Sequence, residues 1–241
     1  MSQIDIRSEP GGGVIFSHSC PNNSYSATFA AAKKAHVSLK RAHFHNVVFE
    51  EGTDFSDLDL ESSYFVGCIF LPGTRFNRAT LTGTAFVGCN FRGVTFARAD
   101  AFLARLEGCT VNECVFDGAQ FSRSSFTSTS FGWCSFIATN LTRCVWKAGQ
   151  IVESVLSAHF YGALVQWLDI DLDTLKTATR IGDARIQCLY IGVCVRPIHV
   201  DYGGQARPAV NRWGLSPKHT VTIQYFDSHT GIDELLWGLS T

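Results

Sequence analysis

The sequence predicts a mainly β solenoid, in which the chain turns a corner every five residues around one continuous core. The first observation is a large apolar residue at every fifth position from Phe76 onward, in a series without a polar member. The second is a small residue two positions before nearly every member of that series. A period of five matches neither the helical period of 3.6 nor the strand period of 2. One long helix and a plain alternating sheet are therefore both excluded.

The large apolar positions, called centres below, keep one register over a long part of the chain. The centres from Phe76 onward are Phe76, Leu81, Phe86, Phe91, Phe96, Ala101, Leu106, Val111, Phe116, Phe121, Phe126, Phe131, Phe136, Leu141, Trp146, Ile151, Leu156 and Tyr161. The pattern of small residues ends at His159.

The same series extends backwards to Leu39 with two shifts of one residue. The earlier centres are Leu39, Phe44, Phe49, Phe55, Leu60, Phe65 and Phe70. Each shift contains a glycine, Gly52 or Gly73, three positions before the next centre, and Gly93 has the same position before Phe96. Because glycine accepts backbone angles that other residues resist, we expect these three glycines to stack as a bulged corner along one edge.

This pattern resembles the pentapeptide-repeat family, whose signature is a central Leu or Phe with a small residue two positions earlier. The resemblance covers roughly residues 37–161, and Phe outnumbers Leu at the centre, a variation that the family tolerates. The resemblance implies a right-handed, four-sided parallel β-helix with four repeats, or about twenty residues, in each coil. It implies about six coils for this chain.

The chain divides into three predicted parts. Residues 1–36 are an N-terminal cap or leader, 37–161 the β-helix and 162–241 a small α+β unit. A cap is expected because the end of a β-helix exposes unpaired strand backbone and a ring of Phe side chains.

Several elements are predicted within residues 162–241. A helix begins at Asp169, strands cover Ile186–Val195 and the surroundings of Val221, and a long loop spans 197–219. The apolar spacing of the last residues predicts a terminal helix over 231–239. An amphipathic helix of this length must be buried on another surface, either in its own unit or in a homodimer. The dimer candidates are Leu235, Leu236, Trp237 and Leu239.

Composition favours a cytoplasmic protein with reduced thiols. Of the nine cysteines, six lie at the small inward position, where a thiol is a compact apolar filler. The sequence has neither an apolar run long enough to span a membrane nor the features of a secretory signal. The Ser-rich start leaves open delivery into a host cell by a secretion system.

No standard catalytic or phosphate-binding motif is present in the sequence. His43 and His45 flank the centre Phe44 and point outward, but two histidines without further ligands do not define a metal site. We therefore predict no catalytic residue, no metal and no cofactor. An enzyme with its site in residues 162–241 remains an alternative.

Outward-facing arginines are the best candidates for partner binding. Positions one coil apart stack, so Arg78 lies beside Arg98 and Arg123 beside Arg143. Basic residues are in excess from residue 62 to 150, whereas residues 50–61 are acidic, which predicts a charge polarity along the axis. The partner-binding candidates are Arg78, Arg98, Arg123 and Arg143, with Arg207, Arg212 and Trp213 in the long loop.

These observations favour a non-enzymatic interaction module or scaffold whose partner is another protein. The resemblance also implies a second role, protection of DNA gyrase or topoisomerase by a rod that mimics duplex DNA. That role needs an acidic surface, which the basic later coils lack. We do not expect nucleic acid as a partner, because the chain is close to neutral overall. A secreted bacterial effector is a third possibility, because fold-level analogy does not decide function.

Overall fold

A computed structural model describes residues 1–8, 12–160, 163–171, 174, 185–186, 189–192 and 220–221. It confirms a mainly β chain wound as a parallel solenoid of about six coils. The helix α1 is Tyr25–Lys34. The strands are β1 (Ser2–Arg7), β2 (Val14–Cys20), β3 (His43–His45), β4 (Val48–Phe49), β5 (Tyr64–Val66), β6 (Ile69–Phe70), β7 (Ala85–Val87), β8 (Asn90–Arg92), β9 (Arg105–Glu107), β10 (Thr110–Asn112), β11 (Ser125–Thr127), β12 (Ser130–Gly132), β13 (Val145–Val152), β14 (Leu164–Asp171), β15 (Arg185–Ile186), β16 (Leu189–Gly192) and β17 (Thr220–Val221).

The solenoid has four faces, and each coil contributes one centre to each face. Coil 1 begins at Leu39 and coil 6 at Leu141. The centres of face 1 are Leu39, Leu60, Leu81, Ala101, Phe121 and Leu141; those of face 2 are Phe44, Phe65, Phe86, Leu106, Phe126 and Trp146; those of face 3 are Phe49, Phe70, Phe91, Val111, Phe131 and Ile151; and those of face 4 are Phe55, Phe76, Phe96, Phe116, Phe136 and Leu156. All of these side chains are buried.

Faces 2 and 3 differ from faces 4 and 1 in their hydrogen bonding. On faces 2 and 3, short strands pair in parallel from coil to coil, as in β5 with β7 and β10 with β12. On faces 4 and 1 the contact between coils is a single bridge, as in Thr95 with Val115 and Gln120 with Asn140. The predicted inward register is confirmed on all four faces.

Stacked phenylalanine rings fill the core. On face 4, Phe96 lies over Phe116 with ring centroids 5.0 Å apart, and Phe116 lies over Phe136 at 4.8 Å. Rings on neighbouring faces meet edge to face, as in Phe116 and Phe121 at 5.7 Å. Such contacts add to area burial, so each coil is held by its neighbours above and below.

The predicted glycine corner is confirmed between faces 3 and 4. Gly52, Gly73 and Gly93 all have positive φ, of 72°, 78° and 60°. The Gly73 amide donates to the Gly93 carbonyl at 3.0 Å, and a Cβ added to Gly73 would lie 3.4 Å from the Gly52 nitrogen. The inserted residue is therefore present in coils 1 and 2 at the same place, so the register of the faces is kept.

The N-terminal residues cover the first coil. Helix α1 is capped at its N-terminus by Ser24, whose hydroxyl accepts a hydrogen bond from the Ala27 amide. Its Phe29 packs on Phe55 of coil 1, with ring centroids 4.4 Å apart. Strand β1 pairs with β2 and meets β3 at Arg7 and His43 in an antiparallel bridge. Together these elements cover apolar rings and strand backbone that coil 1 would otherwise expose.

Parallel stacking continues beyond the predicted boundary at residue 161. Strand β14 pairs in parallel with β13, and β15 and β16 pair in parallel with β14. Phe160 is buried on face 1, one coil after Leu141, and His159 bridges Asn140. This coil is shorter by one residue, which brings Ala158 into the small inward position. The centre predicted at Tyr161 lies outside the described residues.

Other predictions for residues 162–241 have mixed outcomes. The helix predicted from Asp169 does not begin there, because Asp169 and Asp171 lie in β14 and pair with β16. Parts of the predicted strands are present as β15, β16 and β17, and β17 pairs with β16 in antiparallel fashion. The loop 197–219 and the helix 231–239 lie outside the described residues. In the described part of the chain, no helix has the length and apolarity needed to span a membrane.

Candidate interaction surface of the solenoid

The four predicted arginines of the solenoid lie at corners, where the backbone has positive φ. Arg78 and Arg98 lie between faces 4 and 1, in what we call the 4–1 corner, with φ of 57° and 58°. Arg123 and Arg143 lie in the 1–2 corner, with φ of 57° and 56°. Because a corner residue points away from the core, all four side chains are exposed. The predicted stacking within each pair is therefore present.

Arg78 is occupied by an ion pair. Its Nε and Nη2 atoms donate to the two carboxylate oxygens of Asp57, both at 2.8 Å. These hydrogen bonds lower the pKa of Asp57 and raise the pKa of Arg78. Arg98 forms no ion pair within the described residues. Of the 4–1 corner arginines, only Arg98 is thus available to a partner in the described structure.

The acidic residues of the first coils are neutralised locally. Asp54 pairs with Lys33 at 2.9 Å, and Lys40 pairs with Glu61 at 2.6 Å. Lys33 comes from helix α1 and Lys40 from coil 1, and both precede the acidic run in sequence. The charge polarity along the axis predicted from the sequence is therefore weakened by pairs between successive coils and with the cap.

Arg123 and Arg143 are different, because neither forms an ion pair with any described residue. The two arginines line an open surface depression of about 290 Å³ together with Ser122, Asn140 and Thr142. The depression lies where face 1 meets the 1–2 corner in coils 5 and 6. Two unpaired like charges one coil apart repel each other, so an anion between them would be stabilised.

Aromatic and apolar groups lie directly beside this depression. The Arg123 guanidinium carbon is 5.9 Å from the centroid of the Phe102 ring, which is within the range of a cation–π contact. Leu103 is in the same corner, one coil before Arg123, and 48% of its surface is exposed. We call Leu103, Arg123 and Arg143 the corner ridge.

One wall of the depression is fixed by hydrogen bonds. The Asn140 side-chain amide donates to the Gln120 side-chain oxygen at 3.0 Å, and its own oxygen accepts from the Thr142 backbone at 3.0 Å. These bonds use the Asn140 side-chain oxygen internally. Consequently the ligand-facing groups that remain at the depression are mainly donors.

The sequence analysis identified the arginines but missed their neighbours Phe102, Ser122 and Thr142. These residues form a second column, one coil apart, directly before the corner ridge in sequence. The twenty-residue offset that paired the arginines would have found this column too. The other candidates lie outside the described residues: Arg207, Arg212 and Trp213 for partner binding, and Leu235, Leu236, Trp237 and Leu239 for a dimer.

The inward thiols are part of the core. Cys68, Cys89, Cys109, Cys114, Cys134 and Cys144 are all buried and free. Burial raises the pKa of Cys144 to about 12, so this thiol stays protonated at neutral pH. The cysteines fill the core, as the sequence predicted.

Sequence comparison identifies the repeat. Residues 71–101 and 104–143 match the family model for pentapeptide repeats, in 8 copies. The β-helix is a pentapeptide-repeat domain. The matched residues lie in coils 2 to 6 and include Arg78, Arg98, Arg123 and Arg143. No curated protein sequence matches the chain.

Solved pentapeptide-repeat structures resemble the chain. Full-length QnrB1, a plasmid-mediated fluoroquinolone resistance protein, is 22% identical, with 54% of this chain and 75% of QnrB1 covered and a TM-score of 0.37. HetL from Nostoc sp. strain PCC 7120, a protein involved in the regulation of heterocyst differentiation, is 16% identical, with 60% and 83% covered and a TM-score of 0.37. Rfr23 from Cyanothece 51142 is 10% identical, with 60% and 94% covered and a TM-score of 0.32. Because these identities and TM-scores are low, the likenesses do not bear on what this chain does.

Proposed function

We propose that this chain is a non-enzymatic scaffold that binds another protein through the outer surface of its pentapeptide-repeat solenoid. The observation that supports this most is the corner ridge, where Arg123 and Arg143 lack acidic partners among the described residues beside the exposed Leu103. Arginine is one of the residues that contribute most to binding energy at protein interfaces.

The core makes this surface suitable for binding. Phe126 and Phe131 are buried inside coil 5, with ring centroids 5.7 Å apart. A surface held by such a core loses little conformational entropy when a partner binds. The corner ridge is therefore preorganised along its backbone.

Charge also favours a partner with acidic groups. The carboxylates of Asp54, Asp57 and Glu61 are paired within the chain, whereas Arg98, Arg123 and Arg143 are not paired within its described part. Arg98, Arg123 and Arg143, in coils 3, 5 and 6, thus offer positive charge at two corners of the solenoid, which orients an acidic partner and increases its association rate.

The same distribution of charge disfavours the gyrase-protection alternative, which requires a negative rod. QnrB1 is a plasmid-mediated fluoroquinolone resistance protein. For this chain, unpaired arginines would lie on the surface that would have to imitate DNA phosphates. The effector and enzyme alternatives have no support in the described residues, and a cytoplasmic location remains a prediction.

The scaffold proposal is tested by affinity capture with the intact chain from a lysate of its source cells. Three proteins are compared: the wild type, the double variant Arg123→Gln/Arg143→Gln, and Arg41→Gln. Arg41 is the matched control, because it occupies the 1–2 corner in coil 1 with φ of 59°. We expect a saturable protein partner for the wild type and Arg41→Gln. Absence of any saturable partner would contradict the scaffold, and equal capture by the double variant would contradict its placement at the corner ridge.

A further inference from the structure

The depression beside the corner ridge contains more hydrogen-bond donors than a single carboxylate can accept. Arg123 and Arg143 each present a guanidinium fork with five N–H donors. Ser122 and Thr142 add two hydroxyl groups, which also lie one coil apart. A carboxylate has two oxygens, whereas a phosphoryl monoester has three terminal oxygens and close to two negative charges.

The spacing of these donors fits a compact tetrahedral anion. The two Ser/Thr–Arg pairs, 122–123 and 142–143, are stacked on successive coils, whose backbones are about 4.8 Å apart. The Arg123 amide donates to the Thr142 carbonyl at 2.9 Å, which fixes the two pairs against each other. Two arginine side chains that begin at this backbone separation are long enough for both forks to bind one phosphoryl group.

The side of the depression toward coil 4 contains aromatic and apolar side chains. On the side of coil 4, the Phe102 ring lies 5.9 Å from the Arg123 guanidinium carbon, and Leu103 is exposed beside it. Asp100, in the outward column of face 1, accepts a hydrogen bond from the Phe102 backbone at 3.3 Å, and it forms no ion pair with Arg123. The side of the depression toward coil 4 therefore offers apolar surface at Phe102 and Leu103, with the Asp100 carboxylate in the neighbouring column.

We propose that the Arg123–Arg143 depression binds a phosphoryl monoester on a peptide, with a neighbouring apolar side chain of that peptide packed on Phe102 and Leu103. This inference rests on the proposed function and names the chemical group that the partner protein presents. A free phosphate would bind the same donors, but it would leave the exposed side chain of Leu103 uncovered. The peptide therefore binds more tightly than the free ion.

The site is tested with synthetic peptides and the intact chain, independently of any cellular partner. The probe is a fluorescent peptide with one phosphoserine flanked by Leu on either side, measured by fluorescence anisotropy at low and physiological salt. Matched probes contain Ser, or Glu, in place of phosphoserine, and inorganic phosphate is the competitor. We expect binding in the order phosphoserine, Glu, Ser, with at least about a tenfold step between the first two.

Protein variants separate the site from general surface charge. Arg123→Gln and Arg143→Gln are each expected to weaken binding of the phosphoserine peptide by about tenfold or more. Arg143→Lys retains the charge but not the fork, and is expected to restore only part of the affinity. Arg41→Gln, with the same loss of charge in the same corner four coils away, should leave affinity unchanged. Leu103→Ser should weaken the peptide but not inorganic phosphate.

The outcomes also separate this inference from the scaffold proposal. Equal affinity for the phosphoserine and Glu peptides overturns the phosphoryl assignment, and loss of affinity in Arg41→Gln to the same degree as in Arg143→Gln overturns the site. If phosphoserine peptides fail to bind while the chain still captures a partner that requires Arg123 and Arg143, the scaffold proposal is retained. The proposal that the partner presents a phosphoryl group is then wrong. Thermal unfolding of each variant shows that it is folded.

Discussion

Arg78 and Asp57 form a two-pronged ion pair between successive coils, with both nitrogen–oxygen distances at 2.8 Å. The two residues are 21 positions apart, which is one coil that includes the inserted residue of coil 2. Their pairing leaves Arg78 engaged, whereas Arg123 and Arg143, in the neighbouring corner, form no ion pair with described residues. This contrast separates structural arginines from those available for binding.

The ion pairs of the first coils predict a loss of stability in acid. A hydrogen bond from Arg78 lowers the pKa of Asp57 below its ordinary value. A lowered carboxyl pKa contributes stability that is fully present above the ordinary value near 4 and is lost as the pH falls through the folded-state value. We expect the difference in thermal midpoint between the wild type and Asp57→Asn to shrink from pH 6 to pH 2. Glu51→Gln, an exposed control without an ion pair among the described residues, should show little difference at any pH.

Phe116 tests the core register. Its side chain is 0% exposed and stacks on Phe96 and Phe136. We expect Phe116→Ala to lower the free energy of unfolding by about 3 to 5 kcal/mol, because it leaves a cavity in the ring stack. Arg123→Ala should cost less than about 1 kcal/mol. Chemical denaturation measures both, and equal effects would mean that the register is wrong.

Gly73 tests the bulged corner. Gly73→Ala forces a Cβ onto a backbone with φ of 78° and places it 3.4 Å from the Gly52 nitrogen. Gly108→Ala is the matched control, because φ is also positive, at 62°, but no atom lies within 4 Å of the added Cβ. We expect a cost of about 1 to 2 kcal/mol for the control and a larger one for Gly73→Ala. An equal loss of unfolding free energy in both variants would mean that the contact with the Gly52 nitrogen does not contribute to the cost of Gly73→Ala.

The charge distribution predicts that the chain does not act on DNA gyrase. We expect supercoiling by purified gyrase to be unchanged at micromolar concentrations of the chain, and ciprofloxacin sensitivity to be unchanged in cells that express it. The reason is that Arg98, Arg123 and Arg143 offer positive charge where a DNA mimic needs negative charge. Inhibition of supercoiling, or protection from the drug, would reverse this ranking of functions.

The terminal helix predicted over 231–239 is tested by truncation. Sedimentation of the intact chain is compared with that of a version ending at Ser228. If Leu235, Leu236, Trp237 and Leu239 form a dimer contact, the intact chain sediments as a dimer and the truncated one as a monomer. If the intact chain is monomeric, the dimer hypothesis is wrong. If truncation also leaves the stability unchanged, the helix does not pack on its own unit either.

The sequence by itself determined the repeat, the inward register and the glycine corner. Every coil buries its centres, such as Phe116, because the five-residue period turns these positions inward. Their role can therefore be predicted from the sequence. The stacking of Arg123 on Arg143 follows from the same arithmetic, since any two positions one coil apart are neighbours.

Only the tertiary structure decided which charges are paired and where the register of the repeat changes near residue 159. Lys33 neutralises Asp54 because helix α1 folds over coil 1. The sequence pattern around either residue does not indicate that the two side chains meet. Phe160 is the inward residue one coil after Leu141 because that coil is shorter by one residue, as the pairing of His159 with Asn140 shows. Burial within a coil depends on local spacing, whereas ion pairing and a change of register depend on contacts between segments that are distant in sequence.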